Sequence, residues 1–355
     1  MRLRFLTSTP LDVRRGSGTY VGIAVLARTL EALGHEVVLE TPRRSLPVYT
    51  LERVLFNRGL RPSAAFDLTV AFDMDGYTIA GRGYPHVASL KGVIADEVRF
   101  ERGLTRATMS WQARCERLHT LRAGLVLATS RYSAAQARNL YGLPDLPAVV
   151  PELIDLADWR RWLELHPAKP RPENFTVLYV GRLYRRKRVE LLLEAADALR
   201  GRIRGLEVRI VGNGPCAASL RRLWRRRRLE PTVCWLGDVS RAQLAEEYNR
   251  ADVFCLPSVQ EGFGIVLLEA MAAAQPIVAA RAAAVPEVAR DGVLVEPESA
   301  EALAAGIEAL HRQPERGRAL ASAGAQWVEC FDARQVAQQF LEVVGAVARP
   351  GAGGR

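Results

Sequence analysis

The chain has 355 residues, 49% hydrophobic and 25% charged, which is enough for two domains with separate cores and argues against a disordered chain. Its net charge of +10, carried mostly by arginine, favours anionic partners such as a nucleotide diphosphate, an acidic lipid surface or a nucleic acid, without choosing among them. The cysteines at 115, 216, 234, 255 and 330 form no CxxC pair and have no histidine cluster nearby, so neither a zinc site nor a disulfide framework is expected, and reduced thiols in a cytoplasmic setting fit better.

Strand-like and helix-like runs alternate along the chain, the pattern of an α/β protein with parallel sheets. The opening MRLRFLTSTP has too short an apolar run for a secretory signal and reads as a strand over Leu3–Ser8. A helix over Gly18–Leu33 follows, closed by Gly34-His35, and then strands at Glu36–Glu40, Phe66–Phe72, Val87–Leu90, Gly124–Thr129 and Ala148–Val150. The stretch His166–Glu173, HPAKPRPE, has three prolines and no apolar period, and is expected to link two domains over about residues 1–168 and 174–333. Strands resume at Thr176–Val180, Glu207–Val211, Val233–Leu236, Val253–Leu256 and Pro276–Ala280, with helices between. A helix over about 334–349, which could pack back on the first domain, precedes the PGAGGR terminus. No stretch approaches the roughly 18 apolar residues of a membrane span, while peripheral attachment stays open. Two doubly wound domains are expected to bind ligands at the carboxyl ends of their strands, in a cleft between them.

The segment Ser258–Ala273, SVQEGFGIVLLEAMAA, carries the clearest chemistry. A strand ends at Leu256-Pro257, a glycine-rich turn follows, and a helix is expected to begin near Gly264. The free N–H groups and positive dipole end of that helix suit an anion, and Gly262 and Gly264 allow close backbone approach. Glu261 precedes the helix and Glu269 lies about 8 Å further along its axis at about 1.5 Å per residue. Carboxylates accept hydrogen bonds from paired hydroxyls, so one could hold a sugar ring and the other a ribose. Either glutamate alone also fits an ordinary loop or helix acid. Because Glu269 interrupts an apolar run, a hydrogen-bonding partner is expected for it.

Two glutamates separated by seven residues, in these surroundings, resemble the signature of retaining GT-B glycosyltransferases of family 4 (glycosyl transferases group 1). The family's GRL-x-x-x-K-G segment is matched by Gly181-Arg182-Leu183-Tyr184-Arg185-Arg186-Lys187-Arg188, and its strand and turn by Val211-Gly212-Asn213-Gly214-Pro215. Ala251–Ser258 leads into the signature, and Val285-Pro286-Glu287-Val288 follows it. The resemblance covers nearly the whole chain and is densest over 174–297. It implies a GT-B fold, two Rossmann-like domains with the donor mostly on the second and the acceptor mostly on the first, and a reaction that retains anomeric configuration. It also implies that Arg182 and Lys187 stabilise the leaving diphosphate without a metal, Glu261 binds the sugar and Glu269 the ribose. Gly212, Gly214, Val239, Gly262, Phe263, Gly264 and Ile265 would complete the donor site, with Gly16 and Gly18 as a glycine-rich loop of the first domain.

Some positions depart from the family. Where a histidine is usual after a first-domain strand, this chain has Lys91, which could orient a donor hydroxyl or neutralise phosphate but cannot copy imidazole; His86 is expected to begin that strand. Alanine replaces the usual glycine at 274 and 284. Asp73-Met74-Asp75 has the D-x-D form that holds a divalent cation in another glycosyltransferase fold. Since the second half matches the metal-independent fold, no metal or other cofactor is expected, and Asp73, Asp75, Asp96 and Glu97 stand as acceptor-side candidates. The arginines at 221, 222 and 225–228 form a helix face opposite Leu220, Leu223 and Trp224, either simply solvated or drawn to anionic lipid headgroups. Without aromatic interleaving or a known module, nucleic-acid binding has little support.

The expected function is transfer of a sugar from a UDP- or GDP-sugar to a hydroxyl acceptor, in glycan, glycolipid or cell-envelope polysaccharide synthesis, at the inner membrane face or free in the cytoplasm. A nucleotide-sugar epimerase of the same fold and a non-catalytic nucleotide-sugar-binding protein remain as alternatives.

Overall fold

Short runs rich in Val, Leu, Ile and Phe become strands covered on both faces. LTVAF and HVASL are buried at every position, as strands of a parallel sheet with helices on either side must be. The computed structural model describes residues 1–9, 19–42, 49–169 and 173–348. The first sheet contains β1 (Arg2–Leu6), β2 (Glu36–Glu40), β3 (Leu68–Phe72), β4 (His86–Leu90), β5 (Leu125–Ala128) and β6 (Ala148–Val149). The second contains β7 (Phe175–Val180), β8 (Leu206–Val211), β9 (Val233–Gly237), β10 (Val253–Leu256), β11 (Ile277–Ala280) and β12 (Val293–Val295).

The strand orders are β2-β1-β3-β4-β5-β6 and β12-β11-β10-β7-β8-β9, with every pairing parallel. Each order reverses direction once, between β1 and β3 in the first sheet and between β7 and β10 in the second. At such a point the loops leaving two adjacent strands diverge to opposite faces and open a crevice at the carboxyl edge. The second order is that of a dinucleotide-binding fold; the first is the other common doubly wound order, with one extra strand.

The chain divides into two compact units, Met1–Leu153 with Ala333–Arg355, and Ile154–Asp332. The division is not at the proline-containing stretch 166–173. The helix Leu156–Leu165 lies before those prolines, yet its Leu156, Trp159 and Leu163 are buried in the core of the second unit. Asn249 Nδ2 ties its end down by donating to the carbonyls of Leu163 and His166, at 2.7 and 2.9 Å. The helix Ala333–Gly345 belongs to the first unit, where Val336, Ala337, Phe340 and Val344 are enclosed with Leu3, Phe5, Ile23 and Val70. Within the second unit the two boundary residues meet, Ile154 bridging Asp332 and its amide donating to Phe331 O at 3.0 Å.

Gly212, directly after β8, shows how closely the loops at the second sheet's edge are packed. Its φ is +116° and a Cβ there would stand 2.1 Å from Gly181 O. Gly212→Ala should destabilise the second unit by about 2–4 kcal/mol, combining backbone strain with a backbone clash, as read from the urea midpoint. No helix among the described residues is long and apolar enough to cross a membrane.

Candidate functional site

Three loops meet at the carboxyl edge of the second sheet. The loop after β7 is joined to the loop after β8 by Leu183 N donating to Asn213 O (3.0 Å) and Cys216 N to Leu183 O (2.9 Å). A Cβ at Gly214 would lie 2.7 Å from Leu183 N, so only glycine fits there. On its other side the β7 loop accepts a bond from the β10 loop, Val259 N to Arg186 O at 2.9 Å. These contacts hold the single turn Arg185–Lys187 against Pro257–Gly264, across the point where the strand order reverses.

Lys187 Nζ there donates to Glu261 Oε1 at 2.5 Å, with the two side chains 13% and 7% exposed. Two groups 74 residues apart in sequence thus share one enclosed charge pair. Arg182 stands on the same loop, partly buried, its guanidinium 5.8 Å from the Tyr184 ring centre. Beneath them the phenol of Tyr179 donates to Arg182 O at 3.3 Å, and burial, reinforced by the Glu261 charge, raises its pKa.

Glu261 and Gly262 lie in the turn, Gly264 caps the next helix with φ +96°, and Ile265 is that helix's first residue. Glu269 is one face further along. Its Oε2 accepts from Tyr248 OH at 2.9 Å, which supplies the partner the apolar surroundings demand. Its backbone carbonyl accepts from Trp159 Nε1 at 3.1 Å. Desolvation pushes the Glu269 carboxyl up to about 7, against the opposing pull of the Tyr248 hydrogen bond and the Arg241 charge.

Other expected donor residues take different positions. Phe263 is 4% exposed and packs edge-on against Phe331, ring centres 5.6 Å apart, so its side chain belongs to the core. Val239, after β9, is partly buried against the same core. Gly16 and Gly18 lie outside the described residues.

In the first unit the structure redistributes several expected roles. Lys91 follows β4, but its ammonium is enclosed: Nζ donates to Glu152 Oε2 at 2.8 Å, and the side chains are 6% and 3% exposed. The Phe72 ring covers it, with Nζ 5.6 Å from the ring centre. It is therefore one half of a buried ion pair between the loops after β4 and β6, not a group presented to solvent. Asp75 is also inside, with no exposed surface. It accepts from Ser8 N, Ser8 Oγ and Asn57 Nδ2 at 2.6–2.8 Å and stands 3.5 Å from Arg53, so its oxygens are committed to joining the loops after β1 and β3. Asp96 is 1% exposed and held by Arg99 and by Tyr132 OH, at 3.1 and 2.8 Å. Neither Asp75 nor Asp96 is available to an acceptor.

Asp73, directly after β3, and Glu97, the last residue of the helix Ile94–Glu97, are partly buried. Asp73 has φ +54° and accepts from Lys91 N at 2.8 Å; desolvation pushes its carboxyl up to about 6, against the Arg53 charge. His86 opens β4 and is buried, its Nε2 2.8 Å from His119 Nε2, while His119 Nδ1 donates to Asp73 O at 2.6 Å. Burial lowers the pKa of both imidazoles. Sequence reasoning passed over Glu152, Tyr248 and Arg53. Each acts through a partner far along the chain, and no local pattern marks it.

Residues 163–327 match the family described as "Glycosyl transferases group 1". A GDP-mannose-dependent alpha-(1-6)-phosphatidylinositol monomannoside mannosyltransferase of Mycobacterium tuberculosis is 32% identical over 166 residues, 44% of this chain and 43% of that protein. A phosphatidyl-myo-inositol mannosyltransferase of Mycobacterium leprae is 36% identical over 181 residues, 50% of this chain and 48% of that one. The chain thus spans less than half the length of each of these two relatives. The solved sucrose-phosphate synthase of Thermosynechococcus elongatus superposes with a TM-score of 0.80 at 21% identity, covering 97% of this chain and 98% of that one. The fold is GT-B, with two doubly wound α/β units.

Proposed function

We propose, from the premise that residues 163–327 belong to the Glycosyl transferases group 1 family, that this chain is a hexosyltransferase using a nucleotide-diphosphate sugar. The observation that carries the reading is the Lys187–Glu261 pair at the reversal point of the second sheet. An ammonium and a carboxylate held together there match the two ends of a sugar diphosphate. The diphosphate takes Lys187 and Arg182, and the hydroxyls of the sugar donate to the released Glu261. The two cations stabilise charge that grows on the leaving phosphate oxygen as the glycosidic bond breaks, so the reading needs no metal. Glu269 accepts from the ribose hydroxyls. The acceptor hydroxyl attacks from the face the diphosphate leaves, and configuration is retained.

The acceptor is read onto the first unit as a glycan or lipid-linked hydroxyl, with the partly buried Asp73 and Glu97 as its candidate polar contacts. The relatives' phosphatidylinositol-based names favour a lipid-linked acceptor and peripheral contact with the inner face of a membrane. GDP-mannose, which the name of the Mycobacterium tuberculosis relative contains, and UDP-sugars are the donors to test first.

Incubation of the protein with a panel of nucleotide sugars tests the reading. Slow release of free nucleotide supports transfer, an altered sugar on intact nucleotide supports an epimerase instead, and binding without turnover supports a binding protein. The raised Glu269 pKa gives a second check. Ribose hydroxyls donate to the ionised carboxylate, so donor affinity should fall as pH drops through about 7, approaching tenfold per pH unit below it. Calorimetric titration with the nucleotide across that range should show the fall, and Glu269→Gln should flatten it; an unchanged slope would remove Glu269 from the donor site.

A further inference from the structure

The helix Ala217–Arg226 carries a charge pattern that its own unit does not satisfy. Leu220 is buried, Leu223 and Trp224 pack against the core, and Trp224 Nε1 donates to Val233 O at 3.2 Å, so one side is fixed inward. Arg221, Arg222, Arg225 and Arg226 occupy the opposite arc and are all exposed. Their spacing sets two pairs of like charges one turn apart, which weakens a helix unless something outside it compensates.

The neighbouring acids are already engaged. Glu194 and Asp197 on the helix Val189–Leu199 pair with Arg227 at 3.1 and 3.0 Å, and Asp197 also takes Arg200 at 2.9 Å. The four arginines have no ion pair among the described residues. The only aromatic residue of this helix faces the core, so the exposed arc presents no aromatic ring to a base. An arc of four guanidinium groups along a ten-residue helix is complementary to an array of phosphodiesters in one plane.

We infer that the exposed face of Ala217–Arg226 docks the second unit onto an anionic lipid surface. This deepens the peripheral contact in the function proposed above and can fail separately from it. The apolar side of the helix is committed to the core, so attachment is electrostatic and no side chain of the helix inserts. Binding is then reversible and salt-sensitive, at about fivefold in affinity per arginine and several hundred-fold for all four.

Flotation of the full chain with vesicles tests this, using phosphatidylcholine alone and phosphatidylcholine with phosphatidylglycerol, at low and high salt. Capture is expected only with phosphatidylglycerol and only at low salt. Replacing all four arginines by glutamine should abolish it, and Arg225→Gln with Arg226→Gln should weaken it by about 25-fold. Nucleotide release measured without vesicles should stay at the unmodified rate in both variants, which separates lost docking from lost catalysis. Equal capture by neutral vesicles, full capture of the fourfold variant, or tighter binding to duplex DNA than to phosphatidylglycerol vesicles would each overturn the inference.

Discussion

Lys187→Met should lower the rate of sugar transfer by about a hundredfold to a thousandfold, the usual cost of removing one group that stabilises developing charge. Glu261→Gln should be of comparable severity, because a neutral amide accepts sugar hydroxyls less strongly and no longer pairs with the ammonium. Both single variants carry a second effect. The side chains are 13% and 7% exposed, so each substitution breaks an enclosed charge pair, and Lys187→Met, which strands the Glu261 carboxylate, should cost the second unit about 3–5 kcal/mol. Stability and catalysis are separated by combining Lys187→Met with Glu261→Leu. The double variant should regain most of the lost stability in urea unfolding while its transfer rate stays as low as that of either single variant. Transfer within about tenfold of the unmodified rate in the folded double variant would refute the assignment of this pair to the donor.

The second large effect is expected in the first unit, where Lys91→Met should cost about 3–5 kcal/mol by stranding the Glu152 carboxylate in the interior. Glu152→Leu should cost about as much through the stranded ammonium. Together the two substitutions should come back close to the original stability, since a buried pair and an apolar pair of similar volume are often near equivalent. The measurement also decides the role of Lys91. If the lysine serves only to join the loops after β4 and β6, the double variant transfers sugar within about tenfold of the original rate. A fall of about a hundredfold or more, with stability restored, would return Lys91 to the catalytic set.

These two pairs mark what the sequence could and could not reveal. Eleven strands were legible as short apolar runs between Gly, Pro and charged residues, most of them buried on both faces. β12 was not: Val293–Val295 is three residues long, only partly buried and at the sheet edge, although β6, equally marginal at the edge of the first sheet, was read from Ala148–Val150. The helix Leu156–Leu165 has an apolar stripe that would fit either domain, and the prolines after it drew the boundary too far along the chain. Lys187 and Glu261 were each visible through a resemblance, but their contact depends on β7 lying beside β10, a long-range fact that no local spacing contains. Asp75 failed for the same reason. D-x-D after a strand reads as a surface motif until Ser8 on one segment, and Arg53 and Asn57 on the helix Tyr49–Gly59, are known to converge on it.

The return of Ala333–Gly345 to the first unit has a consequence for the order in which the protein is made. Val336, Ala337, Phe340 and Val344 leave the ribosome only after the whole of Ile154–Asp332, although they complete the core that begins with Leu3 and Phe5. At about 5–20 residues per second, the first 153 residues wait roughly 10–35 s with that apolar surface uncovered. The second unit is contiguous and can close during the wait. The segment synthesised first is therefore the one that finishes folding last, and during translation its open core is the surface a chaperone would hold.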